Sequence, residues 1–374
     1  MLGFALASAA LWLIVLVLPW RPWSTRERLE PGAGKRAVSA QAAEAVSVLI
    51  PARNEANSIT RTLASLAGQP GIKQIIVVDD RSTDQTAALA RRVEHVCVID
   101  GKPAPAGWSG KLWALQQGLA RVHSPLVLLL DADIRLAPGM LKALVDKLRK
   151  DGLDQVSIMA SLPAESPPEK LLLPAYVFFF KLLYPFSWVN RDDRPFAAAA
   201  GGCILVRRDT LLRSGAFEAW KGALIDDCEL ARRIRAAGGR LWLGLSHGVR
   251  SLRRHPDLRS LLEGVSRTAY PQLCYSPLWL ALVTGLMLLA FLVPPAAVAV
   301  GVIAGHTWLF CAGLAAWLAM ATAYAPQVRF SGLPTGWALT LPFAAMLFLW
   351  STWVSAWLHY SGTGAGWKGR RYPG

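Results

Sequence analysis

Three pairs of carboxylates stand out as the groups able to do chemistry. Asp79 and Asp80 follow an apolar run, Asp131 and Asp133 flank Ala132 after another, and Asp226 and Asp227 open a helical pattern. The Asp-x-Asp pair offers hard oxygen ligands of the kind that Mg2+ or Mn2+ takes when a phosphate completes the shell. The alternative is that Asp131 caps a turn and Asp133 is solvated. Asp226 and Asp227 also favour the positive end of a helix dipole without further purpose. Crowding carboxylates is costly unless a cation or hydrogen-bond donor meets them.

The elements that position these residues alternate regularly. Val46–Ile50, Gln74–Val78, His95–Ile99 and Leu126–Leu130 read as strands. Helical patterns run from Ala56 to Ala67, from about Asp84 to Val93, from Lys111 to Val122, and from Pro138 to Lys150, with Pro138 in the first turn. Continuous apolar strands between helices predict a mostly parallel sheet covered on both faces. Ligands of such sheets lie beyond the carboxyl ends of the strands. Those ends carry Pro51-Ala-Arg-Asn-Glu55, Asp79-Asp-Arg-Ser-Thr-Asp84 and Asp131-Ala-Asp133. Asp79 and Asp80 suit hydrogen bonds to a uracil and a ribose, while Asp84 suits the cap of the next helix.

Together, Val48-Leu-Ile-Pro-Ala-Arg-Asn-Glu55, Val77-Val-Asp-Asp-Arg-Ser-Thr-Asp84 and Asp131-Ala-Asp133 resemble glycosyltransferase family 2 over about residues 46–270. The resemblance implies the GT-A fold of nucleotide-diphospho-sugar transferases and an inverting single displacement at the anomeric carbon. It implies a donor site of Pro51, Arg53, Glu55, Asp79, Asp80, Lys111 and Asp131, and a divalent cation (Mg2+ or Mn2+) on Asp131 and Asp133. Ala200-Gly-Gly-Cys-Ile-Leu-Val-Arg-Arg208 resembles the family's acceptor-side strand, and Ile225-Asp-Asp-Cys-Glu-Leu230 its Glu-Asp motif, with Asp226 in place of the usual Glu. By position, Asp227 matches the catalytic base.

Gly107-Trp-Ser-Gly-Lys111 is not a phosphate-binding P-loop, since the first Gly and the final Ser or Thr are missing. Within the family it looks like the subgroup acting on lipid or isoprenoid acceptors, and the whole layout is similar to hopanoid-biosynthesis-associated glycosyltransferases. The Gln-x-x-Arg-Trp motif of processive polysaccharide synthases is replaced by Gly264-Val-Ser-Arg-Thr268. Arg267 therefore has two readings, a contact to the diphosphate or a surface residue meeting lipid headgroups.

Hydropathy divides the 374 residues into a charged middle and apolar ends. Leu2–Trp20, Pro277–Ile303 (broken by Pro294 and Pro295), Thr307–Pro326 and Trp337–Tyr360 are each apolar enough to cross a bilayer. The first lacks the basic start and cleavage site of a signal peptide and reads as a retained anchor. The domain reading is an anchor at 1–22, a linker at 23–45, a GT-A domain at 46–275, membrane helices at 276–361 and a basic tail at 362–374. Of 40 Lys and Arg, only Arg329, Lys368, Arg370 and Arg371 lie beyond Tyr275. That bias predicts a multi-pass protein of the bacterial inner membrane with its catalytic domain in the cytoplasm. Three spans after that domain would carry the basic tail outside, so either the Pro294–Pro295 stretch is re-entrant or the tail departs from the rule.

The net charge of +15 fits anionic lipid headgroups, and no nucleic-acid recognition module is present. Five cysteines without metal-like spacing fit a reducing compartment. The expected partners are a nucleotide-diphosphate sugar, a lipid acceptor (a hopanoid in the narrowest reading) and membrane lipids. The apolar segment Glu169–Trp188 reads equally as a core helix or as an interfacial one. The competing readings are a polysaccharide synthase and a non-catalytic sugar-nucleotide sensor or scaffold.

Overall fold

The computed structural model describes residues 1–32, 44–223, 225–255 and 257–361, and the backbone of two short tail strands, Ala365–Trp367 and Arg370–Tyr372. The chain forms two compact units. One comprises Glu27–Pro163 and Phe186–Arg253; the other comprises Met1–Arg26, Ala164–Pro185 and Arg254–Gly374. The segments 164–185 and 254–275, expected within the sheet domain, thus group with the apolar helices. Within the expected linker, Leu29 N–H donates to the Leu245 carbonyl (3.0 Å) and Leu245 N–H to that of Glu27 (2.8 Å). Residues 33–43 of that linker, and the tail at 362–364, 368–369 and 373–374, lie outside the described residues.

The first unit is an eight-stranded sheet. Its strands are β1 (Val46–Ala52), β2 (Ile72–Asp79), β3 (Val96–Asp100), β4 (Leu126–Leu130), β5 (Ile134–Leu136), β6 (Gln155–Ser161), β7 (Cys203–Arg207) and β8 (Leu241–Ser251), in the order β3-β2-β1-β4-β7-β6-β8-β5. The sheet is mixed, with parallel pairing in the majority. β3, β2, β1 and β4 are parallel neighbours, as are β6 and β8, but β7 runs antiparallel to both β4 and β6, and β5 antiparallel to β8. Alternate residues of the central strands fill two cores. Val48, Ile50, Leu126 and Leu128 pack with the helices Ile59–Leu66 and Met140–Lys150. Leu49, Val127 and Leu129 pack with Gly110–Leu119 and Asp226–Ala236. Both faces being buried explains the unbroken apolar run of β4. Gly118 lets its helix approach closely, since a Cβ there would meet Leu49 at 2.2 Å and Val78 at 2.9 Å. The helix expected from Pro138 begins at Met140, after Gly139 in the left-handed region (φ 78°).

In the second unit, three helices among the described residues are long and apolar enough to cross a membrane: Pro277–Ile303, Thr307–Phe330 and Thr335–Tyr360. The N-terminal helix Leu2–Val17 has 16 residues, about 24 Å, short of a 30 Å hydrocarbon core. Pro294 and Pro295 do not break their helix. A π segment, Leu288–Leu292, carries it through. Pro294 has no N–H to donate to the Ala290 carbonyl four residues back. Trp12 Nε1 donates to that oxygen instead (2.7 Å), with Ser8 Oγ at 3.5 Å. The segment read two ways forms the helix Pro167–Leu183, which starts in a Ser166–Glu169 capping box. It buries Leu172, Val177 and Phe178 and packs against the Thr307–Phe330 and Leu341–Tyr360 helices, so the core reading holds within this unit.

Candidate functional site

The loops after β1 and β2 are laced together by side chains that accept from or donate to backbone. Arg53 donates to the carbonyls of Asp80 (2.6 Å) and Arg81 (3.1 Å). Asn54 N–H donates to Ser82 Oγ, Thr83 N–H donates to Asn54 Oδ1, and Glu55 N–H donates to Thr86 Oγ1. Asn54 (φ 51°) and Arg81 (φ 58°) both sit in the left-handed region, a strain this network holds in place. Asp84 accepts from Thr86 N–H and Ala56 N–H and so ties the two loops together, but the cap position of the following helix, Thr86–Arg91, is Gln85 rather than the expected Asp84. Asp79 and Asp80 are buried behind this lacing. Asp79 Oδ2 accepts from Ser82 N–H (3.0 Å), while its Oδ1 is buried with no partner among the described residues. A buried oxygen of this kind needs a donor, which a ligand would supply.

The Asp131–Asp133 tip is gripped from three sides. Asp131 N–H donates to the Gly202 carbonyl before β7, Leu252 N–H donates to the Asp133 carbonyl at the end of β8, and Thr62 Oγ1 donates to the Ala132 carbonyl from the Ile59–Leu66 helix. Asp133 Oδ2 accepts from Arg253 Nε (3.1 Å) and Ser251 Oγ (3.3 Å), and Arg253 also pairs with Glu55 (3.0 Å). Asp131 Oδ1 pairs with Lys111 Nζ (3.1 Å). The donor set of these two carboxylates, each already facing a cationic side chain, would need a ligand's own oxygens to complete a divalent cation's shell. Among the described residues no cluster of three Asp, Glu, His or Cys could hold one by itself.

Lys111 links this tip to the other acidic pair. Its ammonium lies 3.1 Å from Asp131 and 3.2 Å from Asp226. Burial alone would lower its pKa, but Asp131, Asp226 and Asp227 outweigh burial and hold it above the ordinary lysine value. Ser109 caps its helix, so Lys111 sits in the first turn, aimed at the cleft. Asp226 and Asp227 open the Asp226–Ala236 helix, with Asp227 Oδ1 accepting from Cys228 N–H (2.8 Å). Burial and the neighbouring Asp226 push the Asp227 carboxyl up to about 6, against the opposing pull of Lys111. Gly201 makes room for it, since a Cβ there would stand 3.1 Å from Asp227 Oδ2.

Pro51, Lys111, Asp131, Asp226 and Asp227 therefore line one cleft, with Trp220 beside them. Arg53 and Glu55 act on loops and on Arg253 at its edge. Arg267 belongs to the Leu258–Gln272 helix of the other unit. Sequence reasoning missed Arg253 and Trp220. For Arg253 the signal was a basic residue just past β8, at the same sheet edge as the acidic tips; for Trp220 there was a large aromatic six residues before Asp226.

The family profile described as Glycosyl transferase family 2 matches residues 47–213. An uncharacterized glycosyltransferase of Mycobacterium bovis is 34% identical over 211 residues, 56% of this chain and 88% of that protein. A 4,4'-diaponeurosporenoate glycosyltransferase of Staphylococcus aureus is 33% identical over 29% of each chain. This chain spans about a third or less of the length of that and other curated relatives. A mannosyltransferase from Pyrobaculum calidifontis, solved with GDP-Man and Mn2+, matches over 96% of this chain and 98% of its own, with a TM-score of 0.53 at 18% identity. That likeness shows a shared fold.

Proposed function

Because this chain belongs to glycosyltransferase family 2, we propose that it is a membrane-bound inverting glycosyltransferase that moves a sugar from a UDP-sugar to a lipid acceptor. One observation carries the reading: Lys111 holds the Asp-x-Asp tip and the Asp226–Asp227 pair around one cleft, with the Asp227 pKa lifted to about 6. A cation and a carboxylate across a small cleft are what a displacement at an anomeric carbon needs. Lys111 neutralises charge on the departing diphosphate. Asp227 takes the proton of the attacking hydroxyl. The buried, unpaired Asp79 Oδ1 supports a base or ribose donor at the far end. Asp131 and Asp133 would hold Mg2+ or Mn2+ together with donor oxygens, supplying Lewis-acid stabilisation of the leaving group.

The lipid acceptor is supported by the three long apolar helices and by the relative named as the glycosyltransferase of 4,4'-diaponeurosporenoate. A hopanoid acceptor is the narrower reading and rests on the sequence layout alone. An inner-membrane location with the catalytic unit cytoplasmic is part of this proposal, and the basic bias before Tyr275 supports it.

The test is transfer of label from UDP-sugars to membrane lipid extract by detergent-purified protein, wild type against Asp227→Asn. We expect kcat to fall about a hundred- to ten-thousand-fold, the worth of a general base, with UDP affinity kept. Retention of full activity in Asp227→Asn would remove the base assignment. A wild type that binds UDP yet labels no lipid would remove the acceptor assignment.

A further inference from the structure

We propose that the indole N–H of Trp220 donates a hydrogen bond to a hydroxyl of the sugar being transferred, which makes Trp220 a specificity-determining residue. The inference rests on the glycosyl-transfer reading above. Trp220 is only 5% exposed, and its Nε1 is buried with no hydrogen-bond partner among the described residues. It lines the same cleft as Lys111, Asp131, Asp226 and Asp227. Buried donors are nearly always satisfied, so an orphan beside a candidate active site marks a place where a ligand atom belongs.

The orphan does not come from a loosely held turn. Trp220 ends a short 3-10 turn, Glu218–Trp220, pinned on both sides. Arg233 Nη2 donates to the Ala219 carbonyl (2.8 Å), and Ser109 N–H to that of Lys221 (2.7 Å). The Arg233 guanidinium lies over the indole at 5.5 Å, and the Phe217 ring meets it edge-on at 5.8 Å. The ring is thus fixed, and its N–H can only donate.

The chemistry of the surroundings selects the ligand atom. Lys111 already faces the charges of Asp131 and Asp226, and Asp227 Oδ1 accepts from Cys228 N–H. Between the cation that meets the diphosphate and the carboxylate that meets the acceptor lies the sugar ring. Its neutral hydroxyl oxygens are the acceptors a donor-only group can use. A site built to bond a hydroxyl strongly rejects the analogue lacking it, because the buried partner is then left unpaired.

The probe is whichever of UDP-glucose, UDP-galactose and UDP-N-acetylglucosamine the wild type turns over, with its single-deoxy analogues. In Trp220→Phe we expect kcat/KM for the parent sugar to fall roughly five- to a hundred-fold, the range for one buried hydrogen bond. One deoxy analogue should react equally well with both proteins, and affinity for UDP alone should not change. If Trp220→Phe fails to fold, benzothienylalanine at position 220 keeps the ring shape without the N–H and serves in its place. Unchanged kcat/KM, or a uniform loss that leaves every deoxy penalty as in wild type, overturns the proposal. A wild type that binds UDP but none of the three UDP-sugars removes the glycosyl-transfer reading itself, and this inference with it.

Discussion

At the scale of single residues, Lys111 and Asp227 set each other's working state. As the proposed base, Asp227 is useful only when ionised, and burial and Asp226 push it up to about 6. Activity should therefore rise with pH through about 6 and level off above it, the acid limb of kcat/KM reporting the free enzyme. Lys111 opposes that upward push. Its removal in Lys111→Met leaves the ionised form of Asp227 less favoured, so the acid limb should move to higher pH while the plateau drops. A pH profile of both proteins checks this; a limb that stays in place would mean the two charges are not coupled. The acidic partners of this arrangement were readable from sequence, Asp131 because it follows an apolar strand and Asp226 and Asp227 because they open a helical pattern. Arg253 and Trp220 were not, since their roles come from burial and from neighbours distant in the chain. Arg253 meets Glu55 and Asp133 only once β8 is folded beside β5 and β6.

At the scale of elements, the sequence marks strands and helices by periodicity but says little about strand direction or helix continuity. Apolar runs placed β1 to β4 closely. The antiparallel β7 escaped because direction is decided by the long connection from β6, whose length and apolar content carry no directional signal. The Pro294–Pro295 pair shows the converse failure. A local rule predicts a break, yet a tertiary contact from the N-terminal helix satisfies the freed Ala290 carbonyl. Trp12→Phe keeps the ring but leaves that oxygen without its close donor. We expect a loss of about 1–3 kcal/mol of stability in detergent, read as a lower unfolding temperature. Pro294→Ala restores the helical N–H, so the same Trp12→Phe change should cost much less in that background. Equal costs in both backgrounds would show that Trp12 acts by packing on Phe178 and Phe291 alone.

At the scale of the whole chain, charge and helix length together make a prediction about topology. The basic residues up to Arg267 favour the cytoplasm for everything between the first apolar helix and Pro277. The three helices that follow have 27, 24 and 26 residues. At 1.5 Å per residue each exceeds a hydrocarbon core of about 30 Å. Since the first of them runs through its prolines without a break, a re-entrant turn there loses its structural reason. Three crossings would carry Lys368, Arg370 and Arg371 to the side opposite the catalytic unit. That runs against the tendency of basic tails to stay inside, but Arg21, Arg26, Arg28, Lys35 and Arg36, close behind the first apolar helix, outnumber the three charges after the last span. A reporter active only in the periplasm, fused after Gly374, should therefore be active, and one active only in the cytoplasm should be silent. The reverse result would mean that one of the three helices does not cross. The helix with the π segment would then be the first to test, by placing the same reporters after Gly305.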